Sequence, residues 1–209
     1  MDNLNGIGFY LISILTMGAI YAILTLGLNV QWGMAGLFNA GIAGFFAVGA
    51  YATAILTTAP STSHLGGYQL PFALSLVAAM AISGALAWAV GKICLRLRGD
   101  YLAIATLGVA EIFRLVLRTE GWLTNGPDGI PEIPRPFEHL PEPWNLICFL
   151  LLLVALVLLV YGVLEVLRRS PWGRVLAAIR DDEPAARAAG KNVQALSLIH
   201  ISEPTRQAE

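Results

Sequence analysis

Five long apolar blocks, separated by short stretches that are polar or rich in glycine and proline, dominate this chain. Ile7 to Val30 and Gly33 to Thr58 contain no charged residue, and Pro71 to Ile93 carries only Lys92 near its end. Tyr101 to Leu117 is apolar apart from Glu111 and Arg114, and Trp144 to Leu167 is a Leu- and Val-rich run with an aromatic entry and a basic exit at Arg168 and Arg169. About 20 mostly apolar residues suffice for an α-helix to cross the hydrocarbon core of a bilayer. The pattern therefore predicts an all-α, polytopic transmembrane helix bundle of about five spans, the fourth being either a tilted span or a helix buried inside the bundle.

The second block is crowded with Gly33, Gly36, Gly41, Gly44 and Gly49, so its start is expected to be broken or re-entrant. Gly36, Ala40 and Gly44 recur every four residues, which on a helix makes a nearly bare face for close approach of a neighbour. That face reads either as packing or as a moving, pathway-lining surface. Asn29, Gln31 and Asn39 flank the same entry, and amides at membrane depth need a partner in another helix, in water or in a passing solute; a loop at the interface would serve equally. Glu111 and Arg114 share a helical face at i, i+3, as a structural ion pair or as a substrate or proton site.

Gly121 to Pro143 holds Asp128, Glu132, Glu138 and Glu142 against Arg135, and its glycines and prolines predict an extramembrane loop without regular helix. Basic residues gather instead at Lys92 to Arg98 and at Arg168 to Lys191, which places both segments on the cytoplasmic side and the acidic loop, residues 59–70 and the N-terminus outside. After the last block, Ser170 is a good N-cap and Pro171 a good first helical residue. Trp172, Val175, Leu176 and Ile179 follow at helical spacing, with Arg174 and Arg180 on the polar side. Asp181, Asp182 and Glu183 then open a second helical turn that Gly190 can close. Such a helix either docks on a partner or rests on the lipid interface.

Composition agrees with one membrane domain: 56% of the 209 residues are hydrophobic, 13% are charged and the mean hydropathy is +0.68, against about 25% charged residues in soluble domains. The net charge of -1 carries no basic face for nucleic acid. Cys94 and Cys148 lie in apolar segments without metal or disulfide spacing, and His64, His139 and His200 are scattered, so neither a metal site nor covalent catalysis is expected. Gly91-Lys92 is followed by Ile93 and lacks the upstream glycine of a phosphate-binding loop. No enzymatic centre and no cofactor are expected, and ATP hydrolysis would belong to a partner. The apolar stretch after Met1 to Gly6 is too long for a signal-peptide core and is expected to remain as a helix. No internal repeat is evident.

Three stretches carry a resemblance. They are Gly27-Leu28-Asn29-Val30-Gln31-Trp32-Gly33-Met34-Ala35-Gly36-Leu37-Phe38-Asn39 with Gly49-Ala50-Tyr51; Arg98-Gly99-Asp100-Tyr101-Leu102-Ala103-Ile104-Ala105-Thr106-Leu107-Gly108 with Glu111-Ile112; and Leu123-Thr124-Asn125-Gly126-Pro127-Asp128-Gly129-Ile130. With Ser170-Pro171-Trp172-Gly173-Arg174, Ile179 to Glu183 and Ala185-Ala186 to Gly190 following in order, the chain resembles the LivM-like permeases of branched-chain amino acid ABC importers. The resemblance implies a complex in the bacterial cytoplasmic membrane. In it, two permease chains, related but not identical, form the pathway in lipid, two ABC ATPase subunits bind ATP and Mg, and an extracytoplasmic binding protein delivers the amino acid. It also implies three groups of residues. Asn29, Gln31, Gly33, Gly36, Asn39, Gly44, Thr106, Glu111 and Arg114 would serve the pathway or helix packing. Thr124, Asn125, Gly126, Pro127, Asp128 and Gly129 would face the binding protein. Ser170, Pro171, Trp172, Gly173, Arg174, Leu176, Ile179, Arg180, Glu183 and Gly190 would form the coupling loop, about residues 170–190, that engages the ATPase.

The family pattern continues into further spans after Val193, whereas Ser197 to Glu209 is polar and proline-broken and resembles translated adapter read-through. Residues 1–195 are therefore expected to be part of an importer transmembrane domain, truncated at its C-terminal side, and 196–209 a non-native tail. Competing functions are a membrane scaffold or non-transporting remnant, a secondary carrier, and an importer of urea or short amides.

Overall fold

The computed structural model describes residues 2–61, 65–94, 97 and 99–181. The described residues are helical, without strands: α1 (Asp2–Leu28), a π-helical turn (Asn29–Met34), α2 (Ile42–Thr57), α3 (Phe72–Cys94), α4 (Gly99–Thr119), a one-turn α5 (Gly121–Thr124), a 3-10 turn (Gly126–Asp128), α6 (Trp144–Arg169) and α7 (Pro171–Asp181).

Local chemistry sets the boundaries. α2 ends as Thr58 turns extended ahead of Pro60, and α3 begins after Pro71, whose carbonyl accepts from the Leu74 and Ser75 N–H groups. Ser170 is extended between α6 and α7, and its Oγ accepts from the Gly173 N–H at 3.3 Å, the N-cap bond expected of it.

Gly6–Met34, Phe72–Cys94 and Trp144–Arg169 are long and apolar enough to cross a membrane. α2 is apolar but has only 16 residues, or about 24 Å of helix against a hydrocarbon core of about 30 Å. α4 has 21 residues but carries Asp100, Glu111, Arg114 and Arg118. The second block is thus a helix only from Ile42 onward. Gly36 and Ala40 lie outside it, so the predicted Gly36-Ala40-Gly44 helical face does not form, because the chain turns at Gly36 (φ +71°) before α2 begins. The stretch from Gly121 to Pro143 likewise contains the short α5 and the 3-10 turn, which departs from the expectation of no regular helix.

The helices pack as two groups. α2 runs antiparallel to α3, with Gly49 facing Ser83 and Ile42 and Phe45 lying near Ala87 and Val90. α2 runs parallel to α4, Gly41 meeting Thr106 and Gly44 meeting Ala110. α1 packs along α6, and α7 folds back toward the π-helical turn. The end of α3 and the start of α4 gather beside the α1–α2 connection, as does the end of α7, so the described parts of both basic segments lie at one end of the bundle. At the opposite end the Leu65 N–H donates to the Trp122 carbonyl at 2.8 Å, joining the 59–70 connection to the acidic loop.

Candidate functional site

The centre of interest is the break between α1 and α2. In the turn Asn29–Met34 the backbone widens to π-type bonding, a departure from α geometry often found where a helix serves a function. The chain leaves the turn with the Gly36 N–H bonded to the Trp32 carbonyl (3.1 Å) and the Leu37 N–H to the Gln31 carbonyl (2.9 Å). Trp32 and Phe38 meet edge to face at 5.2 Å. Asn39 then turns the chain into α2: its Oδ1 accepts from the Gly41 N–H at 2.8 Å.

Irregular backbone in a membrane protein must find partners for its polar groups. Here α4 supplies one, because Thr106 Oγ1 accepts from the Ala40 N–H at 3.2 Å and donates to the Ala103 carbonyl at 3.0 Å. Thr106 is 4% exposed. A Cβ at position 41 would lie 2.5 Å from the Thr106 carbonyl oxygen, and one at position 44 would lie 2.7 Å from the Ala110 Cα. Glycine at these two positions is what lets α2 and α4 touch backbone to backbone.

Beside this contact is a cavity of about 250 Å³ whose walls include Leu37, Phe45 and Val90 and whose polar groups are Gln31, Asn39 and Thr106. Apolar walls with a few convergent hydrogen-bonding groups suit a small solute with an apolar body. The structure thus brings Gln31, Asn39 and Thr106 together, with Gly44 behind them. Asn29 and Gly33 border a second, shallower cavity with Thr25, Trp32 and Arg180.

Glu111 and Arg114 do not belong to this group. They form a two-pronged pair (Arg114 Nε to Glu111 Oε2, 2.8 Å; Nη2 to Oε1, 2.5 Å) on the surface of α4, with side chains 60% and 58% exposed, whereas Ala110 and Phe113 face α2.

α7 divides its residues between two sides. Gly173 and Leu176 are buried, Leu176 being 5% exposed, and a Cβ at Gly173 would strike the Leu167 and Arg168 carbonyls. Pro171, Trp172 and Arg174 are exposed. Arg180 reaches across 147 positions of sequence to donate from Nη1 to the Gly33 carbonyl at 2.5 Å. Ile179 lies in the last turns of α7, and Glu183 and Gly190 fall outside the described residues, as does the segment 196–209.

In the acidic loop, Thr124 is fully buried and its Oγ1 donates to the Leu117 and Glu120 carbonyls (2.6 and 3.1 Å), closing the end of α4. Asn125 (φ +65°) bonds through Nδ2 to the Gly129 carbonyl at 2.8 Å. Thr124, Asn125 and Gly126 therefore build the loop, while of the six residues predicted to face a partner Pro127 and Asp128 are the exposed ones.

Residues absent from the predicted site are Ala40, Gly41 and Asp181. Asn39 two places before Gly41, just ahead of an apolar run, is a readable turn signal. No local pattern announces that Asp181 and Arg180 serve a turn at the far end of the sequence.

Long apolar helices, an interrupted first connection and a cavity at that interruption define a polytopic helical membrane protein. Residues 10–201 match the family described as the branched-chain amino acid transport system / permease component, and the chain belongs to that family. It is similar to the high-affinity branched-chain amino acid transport system permease protein LivM of Salmonella typhimurium (39% identical over 211 residues, covering 90% of this chain and 48% of that protein). The protein of the same description from Escherichia coli is 38% identical with the same coverage. A probable branched-chain amino acid transport permease protein LivM of Methanocaldococcus jannaschii is 26% identical, covering 88% of this chain and 61% of that protein. The chain thus spans about half the length of the two bacterial relatives. No solved structure matches it significantly.

Proposed function

We propose that the chain contributes part of the pathway of an ATP-driven importer for branched-chain aliphatic amino acids, as one of two related permease subunits. The observation that carries this reading is the cavity at the α1–α2 break, where apolar walls meet Gln31, Asn39 and Thr106. Non-helical backbone at membrane depth persists where it is enclosed by protein or lines a water-filled cavity, and broken helices of this kind hold the substrate sites of many transporters. An aliphatic side chain would meet Leu37, Phe45 and Val90, and the amides would serve its polar end.

The basic end of the bundle would face the bacterial cytoplasm by the positive-inside rule. There the exposed Trp172 and Arg174 side of α7 would meet an ABC ATPase subunit, one of two that bind ATP and Mg. Pro127 and Asp128 at the other end would face an extracytoplasmic binding protein. Closure of the ATPase pair would tilt the bundle between inward-open and outward-open states.

The test is uptake of radiolabelled leucine into proteoliposomes holding the complete complex. Uptake that needs internal hydrolysable ATP, ignores ion gradients and falls at least about tenfold in Asn39→Leu with assembly retained supports the proposal. Uptake driven by a proton or sodium gradient would make the protein a secondary carrier. Assembly without uptake would make it a scaffold, and preferential uptake of urea or acetamide would reassign the substrate.

A further inference from the structure

The C-terminal end of α1 and its π-helical turn leaves carbonyls without a helical successor, and such ends favour a cationic donor. The backbone bonds that leave the turn run to the Val30, Gln31 and Trp32 carbonyls. The Gly33 carbonyl receives the Arg180 guanidinium.

Arg180 is held on three sides. Nη1 donates to Gly33, while Nε and Nη2 donate to Asp181 Oδ1 at 3.0 and 2.8 Å, so the planar fork is oriented by its neighbour on α7. Its aliphatic stem lies over Gly36, where a Cβ would come within 2.7 Å of Arg180 Cγ. Gly36 also has φ +71°, so this one glycine both turns the chain and makes room for the arginine.

The other end of α7 is fixed to α6 through Ser170 and through Gly173, which packs on the Leu167 and Arg168 carbonyls. The far side of the break is fixed to α4 through Ala40 and Thr106. A continuous series of contacts therefore runs from α6 through α7 and Arg180 to the Gly33–Gly36 turn, past Gln31 and Asn39, to α4.

We propose that Arg180 is a positioning residue that makes the cavity at the α1–α2 break follow the movement of α7. This inference rests on the permease reading only in assigning α7 a moving partner. With Arg180 clipped to Gly33, displacement of α7 carries the turn with it. Without the clip, α7 moves on its Ser170 hinge and the turn stays in place.

The experiment uses the complete complex in liposomes, with Met34→Cys as a single thiol reporter and Cys94→Ala and Cys148→Ser removing the native thiols. Labelling by a membrane-impermeant maleimide is compared without nucleotide and after vanadate trapping, alongside ATP hydrolysis and leucine uptake. A nucleotide-dependent labelling rate is expected in the parent. Arg180→Ala should abolish that dependence and lower uptake per ATP hydrolysed about tenfold. Arg180→Lys should restore only part, since an ammonium cannot serve Asp181 and Gly33 as a fork does.

Unchanged labelling response and uptake per ATP in Arg180→Ala would overturn the proposal. So would loss of ATPase binding in that variant, which would assign Arg180 to the partner contact instead. A parent complex that takes up no amino acid would defeat the permease reading, while its labelling response would still decide the role of Arg180.

Discussion

Gly41 and Gly84 look alike in the sequence, both glycines in apolar surroundings, yet the structure gives them opposite roles. Gly41 faces the Thr106 carbonyl across a backbone contact, whereas Gly84 on α3 has open space where a Cβ would go. Gly41→Ala is expected to destabilise the protein by about 1–3 kcal/mol through overpacking. Gly84→Ala is expected to stabilise α3 by about 0.5–1 kcal/mol through the lower backbone entropy of alanine. Thermal unfolding in detergent, followed by size-exclusion fluorescence, should show the two midpoints moving in opposite directions. Thr106→Val belongs with the first group: it leaves the Ala40 N–H without its acceptor, at about 1–3 kcal/mol. Equal midpoints for Thr106→Val and the parent would mean that water replaces the hydroxyl.

α4 shows how one helix serves two surroundings. Ala110 and Phe113 face α2, the latter ring meeting Phe45 at 5.6 Å, while Glu111 and Arg114 pair on the surface this chain leaves open. A lone charge within a span is expensive, and a pair is less so. Glu111→Leu alone should therefore lower the yield of folded protein more than the double change Glu111→Leu with Arg114→Leu, because only the single change strands a cation. Detergent-extracted yield measures this directly, and a double variant worse than the single would show that the pair makes further polar contacts in the assembly. α7 divides in the same manner, with Leu176 inward and Trp172 and Arg174 outward. Trp172→Ala should weaken ATPase recruitment while leaving the fold intact, whereas Leu176→Asp should unseat α7 itself. Pull-down combined with protease protection of α7 separates these outcomes.

Across the described residues, the end of α3 and the end of α7 lie beside the α1–α2 connection at one end, and Leu65 meets Trp122 at the other. Single-cysteine reporters at Arg174 and Asp128 in intact cells should accordingly react with an impermeant thiol reagent from opposite faces of the membrane, Asp128→Cys from outside. Reaction of both from the same face would mean that α6, the helix between them, does not cross the membrane. Much of the helical arrangement is legible in the chain: long apolar blocks must bond their backbones internally, so their helical type and order follow from the hydrophobic pattern, whereas of the five blocks only three form described helices long and apolar enough to cross a membrane. The cap at Ser170, a local bond between near neighbours, is legible too. The interruption was readable as a glycine-rich stretch, but its limits were not. Whether Gly36 and Ala40 lie in a helix depends on Trp32, Thr106 and Arg180 closing the turn from three directions. The same holds for the separation of Glu111 and Arg114 from the cavity, and for Gly33 and Arg180 meeting across 147 positions. Hydrophobic periodicity records which residues avoid water, whereas these contacts arise from which helix faces interlock, and that is settled only when the helices pack.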